Sequence, residues 1–95
     1  MKLSTEEIAR QLTTLPEWTQ VDGKLHREYK FPDFGMAIGF LAASAPSIEK
    51  MDHHPEWCNV YSRVTVNLVT HDDGGITEKD FALARVLEAI ARKMQ

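Results

Sequence analysis

Three of the four histidines in the chain, His53, His54 and His71, flank one stretch of alternating apolar and polar residues. Imidazole is the side chain that both gives and takes protons near neutrality, so such a set suits a reaction in which one group is protonated while its neighbour loses a proton. Two acidic residues stand at supporting distances in sequence. Glu49 lies one helical turn before His53, where it can orient that imidazole, and Asp80 lies three residues after Thr77, where it can complete an N-terminal cap. Trp57 offers either a stacking surface for a flat heterocycle or a half-buried core contact.

Plainer readings compete with these. His53-His54-Pro55 also reads as a helix stop, with imidazole at the negative end of the helix dipole and proline just beyond it. A metal site is disfavoured, because adjacent helical residues point about 100° apart, and the chain has no H-x-x-x-H pair and no C-x-x-C motif. Gly74-Gly75 lacks the spacing of a phosphate-binding loop, so it reads as a turn and no nucleotide cofactor is expected.

The elements that must position these residues follow from periodicity. Ser4 or Thr5 caps a first helix, with Glu6 and Glu7 in its first turn and Leu15-Pro16 at its end. Trp18 to Val21 and Leu25 to Phe31 flank Asp22-Gly23, a pair suited to the positive φ angles of a tight hairpin. Apolar residues recur at helical spacing from Asp33, a cap, to about Met51, and Pro46 within that span should kink or break the helix.

From Val60 to Thr70 strict alternation predicts one long strand, with Val60, Val64, Val66 and Leu68 on its buried face. Such a strand, rising about 3.3 Å per residue, would hold His54 and His71 far apart at its two ends. A single site therefore requires loops that fold back or a strand that begins late. After a turn at residues 71–75, Thr77 opens a last helix with Phe81, Ala84, Leu87, Ile90, Ala91 and Met94 on its core face. The sum is an α+β fold, a mainly antiparallel sheet of about four strands with amphipathic helices on one face and the other face free for ligand or subunit.

Size and composition narrow the classes. Ninety-five residues suit one domain over 1–95, and a small domain leaves much surface open to self-association. A net charge of −3 gives no general pull toward nucleic acid or an anionic bilayer. Cys58 is the only cysteine, which fits a reducing compartment and is expected to be a small, partly buried apolar side chain. The amphipathic N-terminus lacks a signal-peptide core and no membrane-spanning run follows it, so a cytoplasmic protein is expected.

The run Glu49-x-x-x-His53-His54-Pro55-Glu56-Trp57-x-x-x-Tyr61, with His71 ten residues later and Asp80 nine beyond it, resembles the signature of the pterin-4a-carbinolamine dehydratases. The resemblance extends over most of the chain. It implies a hydro-lyase that removes water from a 4a-hydroxytetrahydropterin to give the quinonoid dihydropterin, in tetrahydrobiopterin recycling, without metal or organic cofactor. It also implies that His53, His54 and His71 are the catalytic histidines, that Pro55, Trp57, Thr70, Asp72 and Asp73 neighbour the pterin, and that Glu49 and Asp80 support the site. A homodimer or homotetramer is implied too, and an animal relative serves as a dimerisation cofactor for a transcription factor. The chain departs from the family's pattern at Ser44-Ala45-Pro46-Ser47, in a helix to which the family's subunit contacts are assigned. Two other readings stand beside the dehydratase: a non-catalytic interaction module, and a pterin-site protein serving another pathway.

Overall fold

The computed structural model describes all of residues 1–95. Helix α1 spans Thr5–Leu12 and is followed by strands β1 (Thr19–Val21) and β2 (Lys24–Lys30). Helix α2 covers Phe34–Met51, strands β3 and β4 cover Glu56–Val60 and Arg63–Leu68, and α3 covers Glu78–Arg92 after a single 3-10 turn at His71–Asp73. The four strands form one antiparallel sheet in the order β1-β2-β4-β3, as the sequence led us to expect of an α+β fold.

Local chemistry fixes the boundaries. Ser4, Asp33 and Thr77 each accept a backbone N–H at the start of α1, α2 and α3, satisfying donors that have no partner within the helix. At α3 the cap is reciprocal, because the Asp80 carboxylate accepts the Thr77 N–H. Asp22 and Gly23 both adopt positive φ, 52° and 76°, and close the first hairpin. Helix α1 ends at Leu12, earlier than the Leu15-Pro16 stop, and Thr13 and Thr14 turn their hydroxyls back onto Arg10 and Gln11 carbonyls.

The long strand expected over Val60 to Thr70 does not form. Tyr61, at φ 54°, and Ser62 make a tight turn that folds the segment into the β3-β4 hairpin, with Val60 opposite Arg63. A two-residue turn puts Val60 on the same face as its partner Arg63, so Val60 is exposed on the open face while Val64, Val66 and Leu68 are buried. Alternation continued smoothly through the turn in sequence, and that concealed the reversal.

Helix α2 is also continuous through Pro46 rather than broken there. Pro46 and Ala42, whose carbonyl loses its helical donor to the proline, both lie on the exposed side, where water can replace the missing bond.

Leu25, Tyr29, Val64, Val66 and Leu68 point from the sheet into a core with Ile8, Phe40, Ile48, Phe81, Ala84 and Leu87 from the helices. Tyr29, Phe31 and Phe40 pack there with ring centroids 5.0–6.0 Å apart. The alternating burial along β2 and β4 leaves the opposite face of the sheet solvated.

Candidate functional site

The β3-β4 hairpin removes the distance problem posed by a single long strand. Because β4 returns antiparallel beside β3, the end of β4 comes back to where β3 began, and the segments on either side of the hairpin meet. His53, His54 and His71 line one open cavity of about 330 Å³, with Asp52, Val69, Thr70, Asp72 and Lys79. The volume is at the lower end of the range for small-molecule sites.

Two irregular segments present the imidazoles. Asp52 takes the left-handed conformation at φ 51° and ends α2, its N–H donating to the Glu49 carbonyl, so His53 and His54 leave the helix axis. On the other side Thr70 and Gly75 exchange backbone hydrogen bonds of 3.0 and 3.3 Å, closing a loop whose 3-10 turn carries His71 and Asp72. Gly74, at φ 73°, lets that turn end within one residue.

Each site histidine directs the same ring nitrogen at a carboxylate. His53 Nε2 lies 2.6 Å from Asp80 Oδ1, His54 Nε2 lies 3.1 Å from Glu49 Oε1, and His71 Nε2 lies 3.1 Å from Glu56 Oε2. An ionised carboxylate only accepts, so Nε2 carries the hydrogen in each pair and Nδ1 keeps the lone pair of a neutral ring. The expected pairing of Glu49 with His53 is replaced by Glu49 with His54, because the left-handed Asp52 breaks the helical spacing between Glu49 and His53.

The three pairs differ in depth. His53 is 11% exposed and Asp80 is wholly buried, whereas His54 and His71 are 60% and 73% exposed. Asp80 is further held by the Thr77 N–H at 2.8 Å and the Thr70 hydroxyl at 2.9 Å, and that hydroxyl also lies 2.7 Å from Thr77 Oγ1. Asp80 thus completes the α3 cap and grips His53 with its other oxygen. At the exposed end, hydrogen bonds from Lys24 and then His71 hold the Glu56 carboxyl below the usual carboxylate range.

The remaining residues singled out in the sequence divide. Thr70 and Asp72 line the cavity, but Pro55, Trp57 and Asp73 do not. Trp57 is half-buried against Phe40, with ring centroids 6.4 Å apart, and borders a separate shallow depression with Glu56, Cys58, Thr65 and Asn67. The Asp73 carboxylate accepts from the Met1 ammonium at 2.6 Å, which holds its pKa below the ordinary value. His26, the fourth histidine, is on the open sheet face beside Asn67 Oδ1 at 2.8 Å. Asp52 and Lys79 in the lining carried no spacing signal, and Glu56 stood in the histidine run without a role, because its partner His71 depends on where the hairpin turns.

No group of three or more His, Cys, Asp or Glu side chains is arranged to hold a metal ion, and no helix is long and apolar enough to cross a membrane.

Residues 1–90 match the family model described as pterin 4 alpha carbinolamine dehydratase. A relative from Solibacter usitatus, named "Putative pterin-4-alpha-carbinolamine dehydratase", is 59% identical over 90 residues that cover 95% of each chain. A relative of the same name from Brucella ovis is 47% identical over 92 residues, again covering 95% of each chain. The crystal structure of a Brucella melitensis protein described as a transcriptional coactivator/pterin dehydratase superposes with a TM-score of 0.91 at 46% identity, covering 96% of this chain and 99% of that one. A pterin dehydratase-like RuBisCO assembly factor of the alpha-carboxysome shares the fold at a TM-score of 0.67 and 24% identity, covering 79% of this chain and 89% of that one. With residues 1–90 matched by the family model and relatives matched over 95% of each chain, the chain belongs to the pterin-4a-carbinolamine dehydratase family.

Proposed function

We propose that this protein is a hydro-lyase that converts a 4a-hydroxytetrahydropterin to the quinonoid dihydropterin and water, with His53, His54 and His71 as its acid–base groups. The observation that carries this reading is the convergence of three imidazoles on one polar cavity, each backed through Nε2 by its own carboxylate. In the reaction the C4a–O bond breaks as a proton reaches the departing hydroxyl, and the N5–H proton is lost as the C4a=N5 bond forms. Water leaves and no net proton is consumed, so an acid and a base within one small cavity suffice. The Nδ1 lone pairs are the atoms available for accepting, and a ring protonated at both nitrogens is the donor.

Thr70, Asp72 and Lys79 add polar groups to the wall against which a pterin's amide and amino edge would lie. Glu49 and Asp80 act through the rings they hold. Pro55, Trp57 and Asp73 are outside the cavity lining, although Pro55 and Asp73 directly follow the lining residues His54 and Asp72, and all three stay in the proposal as neighbours of the pterin. The reaction as written calls for no metal or organic cofactor, and its place is the recycling of tetrahydrobiopterin.

The test is to generate the 4a-hydroxytetrahydropterin chemically and follow its dehydration by ultraviolet absorbance. Wild-type protein is compared with His53→Ala, His54→Ala and His71→Ala and with the spontaneous rate. Each acid–base group is expected to contribute roughly 10² to 10⁴-fold. Wild-type acceleration that collapses in folded variants supports the reading, and a folded wild-type protein that does not accelerate the reaction refutes it.

A protein-contact role beside catalysis is favoured by one feature. Phe34 and Ile38 lie half-exposed on α2, one helical turn apart, as an apolar pair open to solvent. A homodimer or homotetramer that covers them would show as a multiple of the 10.8 kDa chain mass in sedimentation, reverting toward the monomer in Ile38→Glu.

A further inference from the structure

We propose that Glu56 is a positioning residue that holds His71 against the cavity and is itself anchored by Lys24, so that one carboxylate ties three separate segments to the site. The inference rests on the dehydratase reading for its kinetic consequence, though not for its structural one.

Both oxygens of Glu56 are engaged in different directions. Oε1 accepts from Lys24 Nζ at 2.6 Å, and Oε2 lies 3.1 Å from His71 Nε2. Lys24 and Glu56 come from β2 and β3, the two strands that flank β4. Lys24 opens β2 directly after the Asp22-Gly23 turn, and Glu56 opens β3 directly after His53-His54-Pro55. Since Leu25 is opposite Leu68 and Glu56 is opposite Asn67, both residues stand beside the last residues of β4, which lead into the His71 turn.

The need for such a tie is least at His53 and greatest at His71, the most exposed of the three rings. His53 is fixed by a buried carboxylate and by the capping network around it. His71 is largely exposed on a three-residue turn, and the only hydrogen bond its ring makes within the chain is the one it donates to Glu56. Without that contact the ring is free to sample its rotamers, and a general acid or base acts only within hydrogen-bond reach of its proton. Lys24 restricts the carboxylate in turn, because a long glutamate side chain held at one oxygen loses most of its own freedom.

Two measurements on the intact protein test this. In the ligand-free state, three-bond side-chain couplings by NMR should show one His71 χ1 rotamer in wild type and averaging in Glu56→Ala, with His53 unchanged. In the kinetic arm, Glu56→Ala should lower kcat about tenfold while KM moves less than about twofold. In a His71→Ala background the same substitution should change kcat by less than about twofold, because a residue acting through His71 has nothing left to position. Lys24→Met should act in the same direction as Glu56→Ala and more weakly. Additive losses in the double variant, or a His71 ring equally ordered with and without Glu56, would overturn the proposal. If the wild-type protein does not dehydrate the pterin, the dehydratase reading fails while the NMR comparison still decides the role of Glu56.

Discussion

Helix α3 carries two buried carboxylates eight residues apart, Asp80 and Glu88, which the helical rise separates by about 12 Å along the axis. Both are saturated with donors, yet only one serves a candidate site. Glu88 accepts from Trp18 Nε1 at 2.8 Å, Tyr29 Oη at 2.8 Å, and Arg27 Nε and Nη2 at 3.2 and 3.3 Å. Those partners are themselves buried, and the Arg27 guanidinium stacks 4.1 Å over the Tyr29 ring. Asp80 instead holds His53 and Thr70, and both of these line the cavity. What distinguishes a chemical cluster from a structural one here is whether a partner's far side reaches open space, since the carboxylate is equally buried in both.

That contrast is broken most directly at Glu88. Glu88→Ala leaves Arg27 buried without its main counter-ion, and breaking a buried pair typically costs about 3–5 kcal/mol. The lower end of that range is expected, because the Glu28 carbonyl and the more distant Glu17 carboxylate remain as acceptors for Arg27. Urea unfolding measures the loss, and dehydratase activity per folded molecule should stay within about twofold of wild type. A variant of normal stability that had lost activity would erase the distinction between the two clusters.

Asp80→Asn should give the converse pattern. The amide oxygen can still accept from Thr77 and Thr70, but the side chain no longer holds His53 by a charge-assisted bond and presents its NH₂ to the ring. Activity should fall about tenfold to a hundredfold, as when the carboxylate that orients a catalytic imidazole is neutralised. Stability should fall by about 1 kcal/mol, the usual worth of a cap, which is a smaller loss than at Glu88. Measuring kcat/KM and the unfolding midpoint on the same preparation separates the two effects.

Acid stability sharpens the comparison further. Burial alone would raise the Glu88 pKa, but the hydrogen bonds from Arg27, Trp18 and Tyr29 outweigh it and hold the group below its ordinary 4.5. A carboxylate depressed in the folded state contributes stability that is complete above its unfolded pKa and is lost as pH falls through the folded one. Unfolding free energy should therefore decline as pH drops below about 4.5, and Glu88→Gln should flatten that decline. Glu7, Glu56 and Asp73 are also depressed, by Arg10, by Lys24 with His71, and by the Met1 ammonium. Those pairs are exposed and screened, so high salt should suppress their share and leave that of Glu88.

Much of this was legible in the sequence because it is local. The caps at Ser4, Asp33 and Thr77, the Asp22-Gly23 turn and the core stripe of α3 depend on residues a few positions apart. The reversal at Tyr61-Ser62 was not legible, since Tyr61, which adopts the positive φ, is not a residue that favours it, and the alternation of Val60 with Val64 suggested an unbroken strand. That one turn decides the site, because it brings His71 back beside His53 and His54 and sets Glu56 behind it. The histidines were recognisable as a motif, while the assignment of carboxylates to rings needed the register of three strands. The Glu88 network was equally hidden, since Trp18, Arg27 and Tyr29 lie 70, 61 and 59 residues away from it in sequence.

The smallest expected effect concerns Tyr29, and it shrinks as pH rises. Burial, followed by the charge of Glu88 and the hydrogen bond to it, pushes the Tyr29 phenol far above its ordinary 10.0. The folded protein then keeps the phenolic proton at a pH where the unfolded chain releases it. Stability falls as pH rises past about 10 because the unfolded state binds fewer protons there. Tyr29→Phe removes one hydrogen bond to Glu88 and should cost about 1 kcal/mol at neutral pH. It also removes the ionisation penalty, so the variant's stability should decline less steeply above pH 10 and approach that of wild type. Urea midpoints measured at neutral pH and above pH 10 test this convergence. A deficit that stayed constant across that range would mean that Tyr29 packs against Glu88 without being electrostatically linked to it, and the cluster would then rest on Arg27 and Trp18 alone.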